Sequence, residues 1–154
     1  MTSSIHCREA VLADAATITD FQLAMAWETE QLRLDPLKCT PGVLAVFEQP
    51  QHGRYYVALE GNRVLGSLLI TYEWSDWRNG DIWWIQSVYV IPEARGRGVF
   101  KQLFHHVKSL AEARHDVCGL RLYVEKRNTR AKQVYQQLGM SGDHYEVCEW
   151  MKGP

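Results

Sequence analysis

Two glycines flanked by arginines, Arg95-Gly96-Arg97-Gly98, stand between a strand-like run, Val88-Tyr89-Val90-Ile91, and a helical pattern opening at Val99 and Phe100. The chemistry this arrangement allows is the holding of an anion. Main-chain N–H groups at the start of a helix have no intrahelical acceptor, and the helix dipole favours negative charge there. Glycine lets a phosphate oxygen approach the backbone, and Arg95 and Arg97 add charge-assisted donors, so a diphosphate fits the turn chemically. A P-loop is excluded, because Gly98 is followed by Val99 and Phe100 rather than Lys-Ser/Thr. A dinucleotide fingerprint is excluded by Lys101, which stands where a small residue is required, and by the absence of an opening parallel βαβ unit. The alternative use of the stretch is a plain strand-to-helix turn with its arginines in solvent.

The elements that must position this turn can be read from period and punctuation. Ile5 to Val11 reads as a strand, and Asp14 stands where a cap would start a helix through Ile18, Phe21 and Met25, ending before Pro36. A second helix is expected over about 41–47, with Pro41 at its start. Tyr55 to Leu59 and Val64 to Trp74 form a hairpin about Gly61-Asn62, and Asn79-Gly80 returns the chain along Ile82 to Ile91. Phe100, Leu103, Phe104, Val107, Leu110 and Ala111 recur at helical spacing. Leu120, Leu122 and Val124 alternate as a strand, Asn128 can cap a helix bearing Ala131, Val134, Tyr135 and Leu138, and Gly139 stops it. His144 to Met151 reads as a last strand.

With 154 residues, 46% hydrophobic and 23% charged, the composition is that of one soluble globular domain, 1–154. A net charge of −1 supplies no basic field for nucleic acid. Cys7, Cys39, Cys118 and Cys148 are too scattered for a zinc or redox motif, and the histidines show no ligand spacing, so no metal is expected. No apolar h-region opens the chain and no run is long enough to span a membrane, which points to no membrane partner and a cytoplasmic location.

The stretch from Val88 to Phe100 resembles motif A of the GNAT superfamily of N-acetyltransferases, a strand and a proline followed by Arg/Gln-x-x-Gly-x-Gly/Ala opening a helix. Arg95 and Gly98 match it, whereas Phe100 stands where the family most often has Gly or Ala. Asn128 to Gly139 is similar to the family's N-x-x-A-x-x-x-Y-x-x-x-G helix, and Ile5 to Ala16 is similar to its opening strand and helix start. The resemblance spans nearly the whole chain. It implies an α+β class with the GNAT (acyl-CoA N-acyltransferase) fold, a mixed, mainly antiparallel sheet flanked by helices. It implies acetyl-CoA as co-substrate, with the Val88-Tyr89-Val90 strand along the pantetheine arm through the main chain of Val88 and Val90. Arg95, Gly96, Arg97, Gly98, Val99 and Phe100 would then take the pyrophosphate, and Asn128 would contact the cofactor while capping its helix.

Acetyl transfer to an amine requires a neutral nucleophile, a polarised thioester carbonyl and a thiolate that gains a proton. The main-chain N–H near Val90 is the candidate oxyanion donor, and Tyr135 matches the family's general acid; otherwise it packs on the apolar helix face. In many members a Glu or His on the fourth strand is the base, but here Trp84, Gln86 and Val88 stand there. Glu73 is the leading substitute, followed by Glu28, Glu30 and Asp81. Trp27, Glu28, Glu30, Trp74, Trp84 and Gln86 are the candidate acceptor-binding residues, since aromatic faces beside carboxylates attract cations such as a small-molecule amine. The same tryptophans could instead fill the core or a homodimer interface. A peptide or protein amine is the alternative acceptor, and a non-catalytic acyl-CoA sensor is the alternative of a different class.

Overall fold

Residues 4–153 are described by a computed structural model, so positions 1–3 and 154 of the expected single domain lie outside the described residues. Two compact units are present, Met1–Tyr123 and Val124–Pro154. The first contains five strands: β1 (Ile5–Glu9), β2 (Arg54–Glu60), β3 (Arg63–Ser75), β4 (Gly80–Val90) and β5 (Val117–Leu122). They join in the order β1-β2-β3-β4-β5, antiparallel except for the parallel pair β4–β5. Helices α1 (Ala15–Glu30), α2 (Pro36–Glu48) and α3 (Val99–Glu112) complete this unit. The second unit carries α4 (Thr129–Gln137).

Alternating residues of a strand point to opposite faces, and that rule sorts the helices. Tyr55, Val57 and Leu59 of β2 join Ile18 of α1 and Val43 of α2 in one buried cluster. Tyr56, between them, meets the ring of His106 on α3 at 5.7 Å. Helices α1 and α2 therefore cover one face of the sheet and α3 the other. The apolar stripe expected on α3 is buried at Val99, Leu103, Phe104, Val107 and Ala111. The Val, Leu and Phe side chains among these contribute about 1.5–3 kcal/mol each on full burial, which outweighs any weakness of local helix propensity.

Turn chemistry is realised where it was expected, with adjustments. The β2–β3 hairpin turns on Gly61, at φ 59°, and Asn62. The β3–β4 turn is longer than a two-residue Asn79-Gly80 turn: Ser75 pairs with Gly80, and Asn79 takes the left-handed φ of 52°. Helix α2 begins at Pro36 rather than Pro41, because the Asp35 carboxylate caps it by accepting from the Leu37 N–H at 2.9 Å. Pro41 sits inside that helix. Strand β5 ends at Leu122, short of the expected Val124. The segment 144–151 forms no strand. Its alternation is present, but no neighbouring strand among the described residues supplies the ladder that would turn alternation into structure, and Tyr145, Trp150 and Met151 are exposed.

Asp14 anchors the entry to α1, though not as a forward cap. Its carboxylate accepts from the Val11 N–H at 2.8 Å and from Arg8 Nη1 at 2.7 Å, closing a 3-10 turn over Leu12–Asp14. Hydrogen bonding from Arg8, with help from the Val11 N–H, lowers the Asp14 pKa despite its burial. A lowered carboxyl pKa stabilises the fold above the unfolded value, and the gain is lost as pH falls through the folded value. Asp14→Asn is expected to cost about 2 kcal/mol at neutral pH, a fall of roughly 4–8 °C in melting temperature. Thermal melts of both proteins should converge once the pH drops below about 3.8, the ordinary value, and through the depressed one.

Candidate functional site

Strand β4 changes partners halfway along. From Asp81 to Ile85 it pairs with β5, and β3 accompanies it to Val90, so on its β5 side Gln86 to Val90 has no partner strand among the described residues. The change coincides with a bulge. The β3–β4 register shifts between Ser67 and Leu69, so that Leu68 stands opposite both Ser87 and Val88, and Ser87 takes φ 53°. A bulge bends its strand and increases local twist, which is a physical reason for β4 to diverge from β5 at this point.

This edge presents main-chain groups of Val88 and Val90. The Ile91 N–H donates to the Leu65 carbonyl at 2.9 Å, toward β3. By alternation Val90 and Val88 direct their N–H and C=O groups away from β3, toward the opening. Beyond Val90, a 3-10 turn over Pro92–Ala94 leads to Gly96 at φ 80° and Gly98 at φ 75°, and α3 starts at Val99. A Cβ built on Gly96 or Gly98 would meet no atom within 4 Å. Both glycines thus face open space in the direction a side chain would take, at the start of a 14-residue helix and its dipole. Phe100 is half-buried, its ring 6.2 Å from Phe104.

The two arginines of this turn are engaged by carboxylates. Arg97 pairs with Glu60, and Arg95 Nη2 pairs with Glu28 at 2.7 Å while its Nε donates to the Val90 carbonyl at 3.0 Å. In this structure both guanidiniums of the turn are therefore held by carboxylates.

The candidate acceptor residues separate by face. Register places Thr71, Glu73, Ile82, Trp84 and Gln86 on the face covered by α1. Trp84 Nε1 donates to Glu73 Oε1 at 3.1 Å, Arg121 Nη1 donates to Glu73 Oε2 at 2.8 Å, and the Tyr123 ring lies 4.6 Å from Trp84. Gln86 donates to the Thr71 hydroxyl. Trp74 and Asp81, paired with each other, point to the opposite face, which removes both from this group; a shift of one residue along a strand reverses the side chain. Trp83 also faces away and packs on Tyr72. Trp27 is half-exposed under the Arg33 guanidinium at 4.9 Å, and Glu30 is exposed. Glu28 turns to Tyr89 and Arg95. Thr71, Arg121 and Tyr123 were missed from sequence; the alternation of 120–124 put Arg121 and Tyr123 on one face, but not beside Glu73 and Trp84.

In the second unit the Asn128 side chain caps α4 by accepting from the Ala131 N–H at 3.1 Å, and Gly139 closes it at φ 88°. Tyr135 is half-buried on α4, and burial raises its phenol pKa above the ordinary value, so it remains a donor at neutral pH. Among the described residues no cluster of three or more His, Cys, Asp or Glu could hold a metal ion, and no helix is long and apolar enough to cross a membrane.

This geometry matches known proteins across the chain. The acetyltransferase (GNAT) family model matches residues 17–140. The crystal structure of a possible acetyltransferase from Clostridium difficile 630 is 41% identical, with a TM-score of 0.90 over 97% of this chain and 99% of that one. Two more distant structures share the fold. A predicted acetyltransferase with acetyl-CoA from Clostridium acetobutylicum is 16% identical, with a TM-score of 0.72 over 98% of this chain and 96% of that one. AAC(6')-Iy in complex with the bisubstrate analogue CoA-S-monomethyl-acetylneamine is 15% identical, with a TM-score of 0.77 over 98% of this chain and 100% of that one. A search of curated proteins returns no match. By its matched residues, its five-stranded mixed sheet and its strand-turn-helix site, the chain belongs to the GNAT family of acetyltransferases.

Proposed function

We propose that this chain transfers the acetyl group of acetyl-CoA directly to a primary amine of a small molecule. The observation that carries this reading is the unpaired Gln86–Val90 edge of β4 running into the open Gly96/Gly98 turn. An edge of this kind takes an amide-bearing arm as an added strand, and the turn takes a diphosphate at its distance along the same carrier. The relative from Clostridium acetobutylicum holds acetyl-CoA on the same fold, and AAC(6')-Iy holds CoA joined to an acceptor analogue.

Bound acetyl-CoA supplies a thioester whose C–S bond breaks as the amine nitrogen forms the new C–N bond. Main-chain groups of Val88 and Val90 hold the arm, the N–H near Val90 polarises the carbonyl, and the amides of 96–100 hold the diphosphate. Tyr135 donates a hydrogen bond to the departing thiolate, and Asn128 contacts the cofactor. Trp84, Gln86 and Tyr123 form the wall met by the acceptor, with Trp27 and Glu30 at the α1 side. The clearest test is a screen of amines for free-thiol release from acetyl-CoA. A cluster of active small amines is the expected result, and release with peptides alone would shift the acceptor class.

Glu73 serves this reaction better by holding the Trp84 and Arg121 side chains beside the acceptor than as the base. It pairs in register with Ile82, roughly 20 Å along the strand from Val88, and both its oxygens already accept hydrogen bonds. The ammonium proton then leaves through water. Glu73→Gln is expected to raise KM for the amine about tenfold and to leave the shape of the kcat/KM pH profile unchanged. Loss of the acidic limb of that profile would restore Glu73 to the proton path. Gln86 in place of an acidic residue is also what a non-catalytic acyl-CoA sensor would show; binding of acetyl-CoA without thiol release from any amine would select that second reading.

A further inference from the structure

One carboxylate joins the end of α1 to the strand edge and turn described above. Glu28, in the last turn of α1, accepts from the Tyr89 hydroxyl at 3.1 Å through Oε1 and from Arg95 Nη2 at 2.7 Å through Oε2. Arg95 in turn donates from Nε to the Val90 carbonyl at 3.0 Å, and its guanidinium lies 5.6 Å from the centre of the Tyr89 ring. Tyr89 is buried and meets Phe21 of α1 at 5.1 Å between ring centres. The contacts close a loop from helix to strand to turn and back to the helix.

The chemistry of this loop differs from that of an acceptor site. Both oxygens of Glu28 are committed to partners on β4 and the following turn, and the hydrogen bond from Arg95 lowers the pKa of the carboxyl and keeps it ionised. An amine arriving there would have to displace a guanidinium already held by two acceptors. The Val90 carbonyl, meanwhile, points toward the opening of the sheet, where no strand orients it, and Arg95 is the group that does. A half-exposed arginine without its carboxylate would sample solvent, and that lost order would have to be restored each time a ligand bound.

We propose that Glu28 is a positioning residue for the acyl-carrier edge: through Arg95 it holds the Val90 carbonyl and the start of the glycine turn in place, and it does not bind the acceptor amine. This inference rests on the acetyl-CoA reading above. It makes Arg95 an organiser of the edge in addition to any contact with phosphate, and it couples the helix beside the acceptor wall to the carrier strand.

Titration calorimetry with acetyl-CoA and steady-state kinetics test it together. Glu28→Gln keeps an acceptor for Tyr89 and removes the charge that holds Arg95; it should weaken acetyl-CoA binding about three- to fivefold, raise KM for acetyl-CoA by the same factor, and leave KM for the amine and kcat within twofold. Tyr89→Phe preserves the Phe21 contact and should weaken binding less than Glu28→Gln does. The double variant Glu28→Gln/Arg95→Ala should bind no worse than Arg95→Ala alone, because Glu28 acts through Arg95. Additive losses in that cycle, or a rise in amine KM with unchanged acetyl-CoA affinity in Glu28→Gln, would overturn the positioning role. No binding of acetyl-CoA by the wild-type chain would instead overturn the underlying reading and this inference with it.

Discussion

Gly98→Trp should abolish the rise in melting temperature that acetyl-CoA gives the wild-type chain. For a ligand at about 100 times its Kd the stabilisation is about 2.7 kcal/mol, a shift on the order of 5–10 °C for a chain of this size. Gly98 sits at φ 75° with no atom within 4 Å of a built Cβ, so the indole would occupy the space left clear at the helix entrance. The left-handed backbone adds a separate cost of about 1–2 kcal/mol for any side chain, which lowers the ligand-free melting temperature by a few degrees. Gly98→Ala isolates that second effect: it should show the same strain and keep most of the ligand-induced shift. A full shift in Gly98→Trp would place the diphosphate elsewhere.

Tyr135→Phe should reduce kcat on the order of 100-fold while acetyl-CoA affinity stays within twofold. General acids contribute about 10²–10⁴, and the lower end applies here. A phenol near pKa 10 gives a proton uphill to a thiolate whose acid is near 8.5, and burial raises the Tyr135 phenol further, so hydrogen-bond stabilisation of the leaving group outweighs full transfer. The sign for pH dependence follows. Because the tyrosine must be protonated to act and its pKa is raised, the alkaline loss of activity it causes should fall above pH 10, beyond the ordinary value. Thiol release measured at saturating acetyl-CoA and amine reads both effects. Equal turnover in the two proteins would remove Tyr135 from the chemistry.

How far the site could be read from the chain depends on how local each feature is. The glycine turn, the Asn128 cap and the Gly139 stop were legible because each is decided within a few residues by backbone freedom and capping geometry. The helical period of α3 was legible because its buried stripe recurs over several turns. Trp74 and Trp84 looked like neighbours on one hairpin, yet register puts them on opposite faces. Glu73 stood as the leading substitute for the base, and Arg121, 48 positions later in the chain, engages it. The last segment, 144–151, carries strand periodicity without a strand, since a ladder needs a second chain segment that periodicity does not name.

By itself the sequence determined the family, the order of most elements and the presence of a glycine turn at the entrance of a helix, because these follow from short-range period, turn residues and the spacing of two motifs. Only the tertiary structure decided that β4 bulges at Ser87, parts from β5 beyond Ile85 and leaves Val88 and Val90 with an unpaired edge. It also decided that Arg95, Arg97 and Glu73 have partners of opposite charge. The physical reason is common to all of these: a bulge, a splayed edge and an ion pair each depend on register between segments far apart in the chain, and nothing in a residue's own neighbourhood specifies what will be brought beside it.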